Sequence, residues 1–192
     1  MIFILKDPAV RNRLEADQIK RVLKENDIVL LLLPHNRYSD KIIEIAKIIS
    51  LLNKKVCYVC LNKPHTTLQK DFEKNKIDVD KFFFVDCVTK NANDKRDEYA
   101  VYVSSPKALT EISIVVKKVL ETSKIESTVF DSLSTLLIYE DAHVVLRFTH
   151  SIVSVFRNLG SKGVLIALKE DMKSELGKDL NMFVDKVLEL GS

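Results

Sequence analysis

Short aliphatic runs that alternate with longer helical patterns constrain the fold of this chain more than any other feature. Five such runs carry mostly apolar side chains at consecutive positions, and they lie at 28–33, 56–61, 82–85, 128–130 and 164–168. A strand that is apolar on both faces belongs to a parallel sheet that helices cover on each side. The alternation therefore predicts a doubly wound α/β domain.

The segments between these runs have amphipathic patterns that predict helices at 10–25, 39–52, 106–121 and 141–159, with a shorter and weaker one at 66–75 and a segment at 173–181 that Gly177 interrupts. Ser39 is expected to cap the second helix, and Gly160 is expected to end the fifth. Residues 183–190 are expected to form a last strand, and residues 99–103 are also strand-like. The polar stretch 90–98 is predicted to be a loop.

Composition narrows the class of protein. The 192 residues are 46% hydrophobic and 30% charged, which favours one folded domain spanning residues 1–192. A net charge of +3 is too small to indicate nucleic acid by itself. The three cysteines suit a reducing cytoplasm, and no segment reaches the roughly 18 uncharged apolar residues of a membrane span. We therefore expect a soluble cytoplasmic protein with no membrane partner.

Cys57 and Cys60 have the C-x-x-C spacing of redox proteins. In those proteins the pair lies at a helix N-terminus, which stabilises the thiolate. Here both residues fall inside a predicted strand, where residues three apart point to opposite faces. The sequence therefore predicts that Cys57 and Cys60 are structural cysteines.

The predicted helix at 141–159 carries a polar stripe of five residues, namely His143, Arg147, His150, Ser154 and Arg157. Such a stripe could contact an anion or nucleic acid. An amphipathic helix also needs a solvent face, and that is the interpretation we favour. No Cys, Asp or Glu nearby completes a metal-ligand set around His143 and His150, so we predict no metal site.

The first predicted strand is followed by a loop and a helix, which is where a phosphate-binding P-loop lies. With Pro34 at the first position of that motif, its glycine, lysine and Ser/Thr positions are occupied by Ser39, Asp40 and Lys41. The first glycine of the chain is Gly160, so no register within a residue of this one supplies the motif's glycines. Side chains would obstruct the backbone N–H groups that wrap phosphates, and Asp40 would face them with the wrong charge.

Three segments occur in a characteristic order: SSPKALTEIS at 104–113, VFDSLS at 129–134 and KGVLIAL at 162–168. This series resembles the RecA/KaiC-type ATPases, especially archaeal KaiC-like proteins, and weaker similarity extends back to about Ile28. The resemblance implies a three-layer αβα sandwich with a mostly parallel RecA-like sheet. Counting the six predicted strands along the chain, it implies the strand order 3-2-4-5-1-6.

The resemblance also shows which catalytic parts are absent. The family carries acidic residues at the end of its second strand, which prepare water for attack, and Leu61 and Asn62 stand there in this chain. Asp131, followed by Ser132, matches the family's Walker B aspartate near magnesium. Asp131 could be a retained magnesium ligand or a strand-end residue that caps a turn, and we favour the second interpretation.

These observations predict a non-catalytic RecA/KaiC-like domain, a pseudo-ATPase that regulates or supports a protein partner or a second copy of itself. We predict no catalytic residue and no cofactor. An alternative is binding of a nucleotide or another anion without hydrolysis, through a vestigial site formed by His35, Asn36, Arg37, Ser39, Asp40, Lys41, Asp131 and Ser132. A further alternative, binding of single-stranded nucleic acid, is disfavoured by the nearly neutral charge.

Overall fold

The computed structural model describes residues 8–89, 97–173 and 175–191. Its strands are β1 (Ile28–Leu33), β2 (Val56–Cys60), β3 (Phe82–Asp86), β4 (Ala100–Tyr102), β5 (Ser127–Asp131), β6 (Lys162–Leu168) and β7 (Lys186–Glu189). Its helices are α1 (Pro8–Glu25), α2 (Tyr38–Leu52), α3 (His65–Lys74), α4 (Leu109–Thr122), α5 (Leu133–Leu136), α6 (Ala142–Leu159) and α7 (Glu175–Leu180). Part of the predicted loop at 90–98, residues 90–96, lies outside the described residues.

The described strands form one sheet in the order β4-β3-β2-β5-β6-β1-β7, and every neighbouring pair is parallel. The predicted α/β sandwich is confirmed. The six predicted strands stand in the predicted order, and strand-like residues 99–103 contribute a further edge strand, β4, beside β3. Sequence patterning therefore located the sheet, because strands buried on both faces are apolar throughout.

Two apolar clusters cover the two faces of the sheet. Side chains of α1, α2 and α3 form one cluster, and side chains of α4, α5 and α6 form the other. Gly163 in β6 permits one close contact, since a Cβ atom there would lie 2.6 Å from Cδ2 of Phe156 in α6. The layers are thus helix, sheet and helix, with the core on both sides of the strands.

Two predicted helix starts differ from the observed ones, by one residue for α2 and by three residues for α4. Ser39 does not cap α2, because a 3-10 turn at His35–Arg37 leads directly into the helix and places Arg37 at the capping position. Pro106 lies before α4 and not in its first turn. It belongs to a separate turn, in which the backbone N–H of Ala108 donates to the carbonyl of Ser105 at 3.0 Å. Gly160 does end α6, with a left-handed φ of 69° that favours glycine.

The three cysteines are buried and free. Cys57 belongs to the apolar cluster on the α4 and α6 side, and Cys60 belongs to the cluster on the opposite face. Burial raises the pKa of the Cys57 thiol to about 12, so the thiol is unreactive at neutral pH. The predicted structural role of this pair is consistent with its placement.

The polar stripe of α6 faces outward, as an amphipathic helix requires. His143, Arg147, His150 and Arg157 are exposed, and Ser154 is half-buried. Arg157 donates to Oδ1 of Asp185 at 2.8 Å and to the carbonyl of Phe183. Within the described ranges, none of the helices is long and apolar enough to span a membrane.

Candidate ligand cleft at the carboxyl edge of the sheet

The carboxyl ends of β1, β2, β5 and β6 meet at one edge of the sheet, because the strands are parallel. A cleft of about 620 Å³ opens there, lined by His35, Tyr38, Ser39, Asn62, Ser132, Ser134, Thr135, Leu137, Ile138, Leu168 and Asp171. A smaller cavity of about 250 Å³ lies between α2 and α3, and Tyr38, Ser39, Asn62, Asp40 and Asp131 contribute to its wall. Open α/β sheets bind ligands in this position.

The loop after β1 is a compact turn. Pro34 accepts a backbone hydrogen bond from Arg37 at 3.1 Å, and α2 begins at the next residue, Tyr38. His35 and Ser39 are exposed and line the large cleft, and Asn36 is exposed beside them. The loop therefore presents side chains, where a glycine-rich loop would present backbone N–H groups.

The structure does not bring the two predicted cationic contacts into the cleft. Lys41 is fully buried on the face of α2 that packs against α1, and its Nζ atom lies 2.6 Å from Oε2 of Glu15. Glu44 is its second partner. Arg37 donates to Oδ1 of Asn12 at 3.4 Å, again on the α1 side. A lysine is buried in a protein core only with such charged partners, so Lys41 belongs to the α1–α2 contact.

Asp131 ends β5 with 4% of its surface exposed. The hydroxyl of Tyr58 donates to its Oδ2 atom at 2.7 Å, the hydroxyl of Tyr38 donates to Oδ1, and the amide of Asn62 donates to Oδ1 at 3.3 Å. Burial raises the pKa of Asp131 to about 8. The carboxyl group is therefore largely protonated and neutral at pH 7.

Side chains that follow β2 and β5 are bonded to one another around this carboxyl group. The amide of Asn62 donates to the hydroxyl of Tyr38 at 2.7 Å and to Ser132 at 3.4 Å. Thr135 donates to the amide oxygen of Asn62 and contacts Ser132 at 3.2 Å. Leu61 points into the core. Of the two residues at the family's acidic positions, only Asn62 reaches the cleft.

Tyr38, Tyr58 and Thr135 belong to this site, and the sequence interpretation missed all three. One signal was present: Tyr58 carries the only side-chain hydroxyl among the residues 56–61 of an otherwise apolar run. A buried tyrosine hydroxyl usually has a hydrogen-bond partner. A polar residue at the end of a neighbouring strand, such as Asp131, was a natural candidate for the partner of the Tyr58 hydroxyl.

A second polar group lies at the end of β3. Asp86 is fully buried, and its Oδ2 atom lies 2.9 Å from Nδ1 of His65, the first residue of α3. Nε2 of His65 lies 3.1 Å from Oδ2 of Asp97. Among the residues that the structure describes, no three or more His, Cys, Asp or Glu side chains are placed to hold a metal ion.

No protein-family model and no curated protein sequence matches this chain. Its structure is similar to the crystal structure of a KaiC-like protein from the hyperthermophilic archaeon Pyrococcus horikoshii. The alignment covers 86% of this chain and 72% of the other, with a TM-score of 0.63 and 12% sequence identity. At that identity the likeness concerns the fold alone, so the chain has a RecA/KaiC-like fold.

Proposed function

We propose that this chain is a non-catalytic RecA/KaiC-like domain that regulates or supports another protein, and that its ATPase centre has been lost. The state of Asp131 carries the proposal. Both oxygens of this carboxyl group are occupied by side chains of the same molecule, and burial keeps the group protonated at neutral pH. A group in that state supplies neither charge nor a free oxygen.

Magnesium binds ionised carboxylate oxygens and demands nearly ideal octahedral geometry. The family resemblance gives the aspartate at this position a place beside that ion. In this chain Tyr38, the first residue of α2, bonds directly to Asp131. A metal ion would have to displace the tyrosine and remove the proton from the carboxyl group.

The phosphate side of the site also lacks the required charge. Phosphoryl transfer depends on positioning and on electrostatic stabilisation of the phosphate oxygens. Within the described part of the chain, no Lys or Arg lines the large cleft. The ammonium group of Lys41, close in sequence to the position of the P-loop lysine, is neutralised by Glu15 and Glu44.

Water activation is the third missing element. A general base must accept a proton near neutral pH. Leu61 has no group that can do so, and the amide of Asn62 does not titrate. Three separate parts of a hydrolytic site are thus replaced by apolar, neutral or internally bonded side chains.

An ATPase assay with purified protein, with and without magnesium, tests the loss of activity. We expect hydrolysis at the background rate, with an active RecA-like ATPase as the positive control. Magnesium-dependent hydrolysis above background that disappears in Asp131→Ala would overturn the proposal. Preparation of the wild type and of Asp131→Ala from the same host excludes a contaminating ATPase as the source of a difference between them.

A second function, nucleotide or anion binding without hydrolysis, is supported by the open cleft of about 620 Å³ next to the N-terminus of α2. Helix N-termini attract anions, and His35 and Ser39 lie at this one. Isothermal titration with ATP and ADP separates the two functions. We expect no binding in the micromolar range, and micromolar binding without hydrolysis would replace the scaffold proposal by this one.

A regulatory or scaffolding domain needs a partner, so the proposal includes a protein partner or a second copy of this chain, in the cytoplasm. Light scattering after size-exclusion chromatography distinguishes a monomer from a homo-oligomer. We do not propose nucleic acid as the partner, because the net charge is only +3.

A further inference from the structure

His65 and its two carboxylate neighbours form a buried group that the proposed function does not use. The group lies at the end of β3. In the sheet, β2 lies between β3 and β5, the strand that ends in Asp131. His65 is 1% exposed, and each ring nitrogen lies within 3.1 Å of a carboxylate oxygen, one on Asp86 and one on Asp97. We call these three residues the His65 clamp.

Both carboxyl groups of the clamp are ionised at neutral pH. Burial by itself would raise the pKa of Asp86, but hydrogen bonds from the backbone and ring of His65 and from the backbone of Thr89 and Val88 lower it. Burial likewise opposes ionisation of Asp97, and hydrogen bonds from the Tyr99 backbone and from His65 lower its pKa. The clamp therefore presents two negative charges to one imidazole ring.

The hydrogen-bonding capacity of imidazole makes this arrangement depend on a proton. A neutral ring has one N–H donor and one lone pair, whereas the imidazolium ion has two N–H donors. Only the imidazolium ion donates to Asp86 and Asp97 at the same time. In the neutral ring, one of the two carboxylates faces a lone pair and is repelled.

The clamp connects the edge of the sheet to the rest of the domain. Asp97 precedes β4 and accepts the backbone N–H of Tyr99 at 2.8 Å. The edge strand β4 spans only three residues, and backbone hydrogen bonds of Phe84 to Tyr99 (2.7 Å) and of Val103 to Asp86 (2.9 Å) flank it. Three residues is the short end of the usual range of strand lengths, so β4 has few backbone contacts and the side-chain contact through Asp97 adds to them.

We propose that the His65 imidazolium is a proton-dependent clamp that fastens β4 to α3 and β3, and that loss of one ring proton releases this edge strand. Of the two carboxylates, Asp97 is the one that separates from the ring, because Asp86 is still held by the hydrogen bonds from the backbone of Val88 and Thr89. Release exposes the edge of β3, since its N–H and C=O groups lose their partners in β4.

The groups that surround the ring are consistent with release of β4 when the ring loses a proton. Tyr102, in β4, donates to Asp97 at 3.4 Å and packs edge-on against the His65 ring. From β3 the ring meets Asp86 and Phe84, and from β2 Cys60 stands opposite Asp86 in the strand register. Lys63, two residues before His65, is paired with Asp71 at 3.3 Å.

Nuclear magnetic resonance of the ring nitrogens tests the first half of the proposal. While β4 is attached, we expect the resonances of a ring that is protonated on both nitrogens, because each nitrogen faces a carboxylate oxygen. A ring protonated on only one nitrogen while the amides of Phe84 and Val103 remain protected would overturn the clamp.

Amide hydrogen exchange as a function of pH tests the second half. After correction for the intrinsic rate, we expect exchange at Phe84 and Val103 to increase about ten- to a hundredfold when the ring loses its proton, the range for one hydrogen bond to a charged group. Leu190, whose N–H bonds to Leu32 at 2.9 Å near the opposite edge, should not change. Equal increases at both edges would show global loosening and would overturn the proposal.

Substitutions test whether the pH dependence of amide exchange at Phe84 and Val103 arises from the His65 clamp. Asp97→Asn removes the more exposed carboxylate and leaves the Asp86 bond in place, so we expect the domain to fold and the exchange at Phe84 and Val103 to lose its dependence on the ring proton. Asp17→Asn, the same change on the exposed face of α1, is the matched control and should behave as the wild type. His65→Gln should also abolish the pH dependence. An Asp97→Asn profile identical to that of the wild type would overturn the proposal even if His65→Gln fails to fold.

Discussion

Two strands of this sheet end in a buried aspartate at the same edge, and the two side chains are held in opposite protonation states. Asp131 ends β5 and Asp86 ends β3, with 4% and 0% of their surfaces exposed. The pKa of Asp131 is raised to about 8, whereas that of Asp86 is lowered. Burial opposes the charge of both, so it does not explain the difference.

The difference comes from the groups around each carboxyl. Asp131 is bonded to three neutral side chains, the hydroxyls of Tyr38 and Tyr58 and the amide of Asn62. Asp86 accepts the backbone N–H groups of His65, Val88 and Thr89 and the hydroxyl of Thr89, and it lies against the ring of His65. Hydrogen bonds to the charged form favour ionisation, and at Asp86 those from His65, Val88 and Thr89 outweigh burial. Two aspartates at similar strand ends thus differ in charge: Asp131 is neutral, and Asp86 is the ionised carboxylate of the His65 clamp.

The two aspartates should differ most in the loss of unfolding free energy when each is replaced by asparagine. Asp86→Asn leaves His65 and several backbone N–H groups facing an amide, so we expect a loss of about 3–5 kcal/mol in the free energy of unfolding. Asp131→Asn replaces a neutral carboxyl by a neutral group of the same shape and should cost much less at pH 7. Urea denaturation of both variants checks this, and equal losses would contradict the assigned charge states.

The pH dependence of stability provides the next contrast. The folded-state pKa of Asp131 is raised from 3.8 to about 8, so the folded state binds the extra proton between these values and the free energy of unfolding falls as pH rises. The contribution is about 1.4 kcal/mol for each pH unit, or about 3 kcal/mol between pH 5 and pH 7. Asp86 has the opposite sign, because its stabilisation is present above the pKa of the unfolded chain and is lost in acid.

Asp131→Asn isolates the contribution of this one group. The difference in unfolding free energy between the variant and the wild type should change with pH in favour of the variant, by the amount given above. Denaturation at pH 5, 6 and 7 measures it. A constant difference over this range would mean that Asp131 is ionised in the folded protein.

The sequence predicted the sheet far better than it predicted these two centres. Aliphatic runs such as Ile28–Leu33 report burial on both faces, and the order of strands followed from a family resemblance. Asp131 was singled out because it ends such a run. Its partner Tyr58 lies 73 residues away, and Asp97 lies 32 residues from His65, so only the folded sheet brings each pair together. Lys41 was assigned to the cleft because periodicity alone did not show that its face of α2 packs against α1.

Tyr58→Phe tests how far the neutral centre depends on its buried hydroxyl. The substitution leaves Oδ2 of Asp131, a residue with 4% of its surface exposed, without its 2.7 Å donor, so we expect a loss of about 1–3 kcal/mol. The measurement is again urea denaturation at pH 7. A loss below about 0.5 kcal/mol would show that this hydrogen bond contributes little to folding.

Tyr38→Phe should have the smallest effect on stability, about 0.5–1 kcal/mol, because Tyr38 is half-buried and water from the cleft can replace its hydroxyl. The same variant separates two reasons why the centre would be inactive. If the occupied oxygens were the main obstacle, removing the hydroxyl would allow magnesium to bind. If the protonated state of Asp131 is the obstacle, as the raised pKa implies, titration calorimetry with magnesium at pH 7 will detect no binding to Tyr38→Phe. At pH 9, where the carboxyl group is ionised, the variant should bind magnesium more tightly than the wild type, since it has the charge and no longer has the Tyr38 hydroxyl on Oδ1.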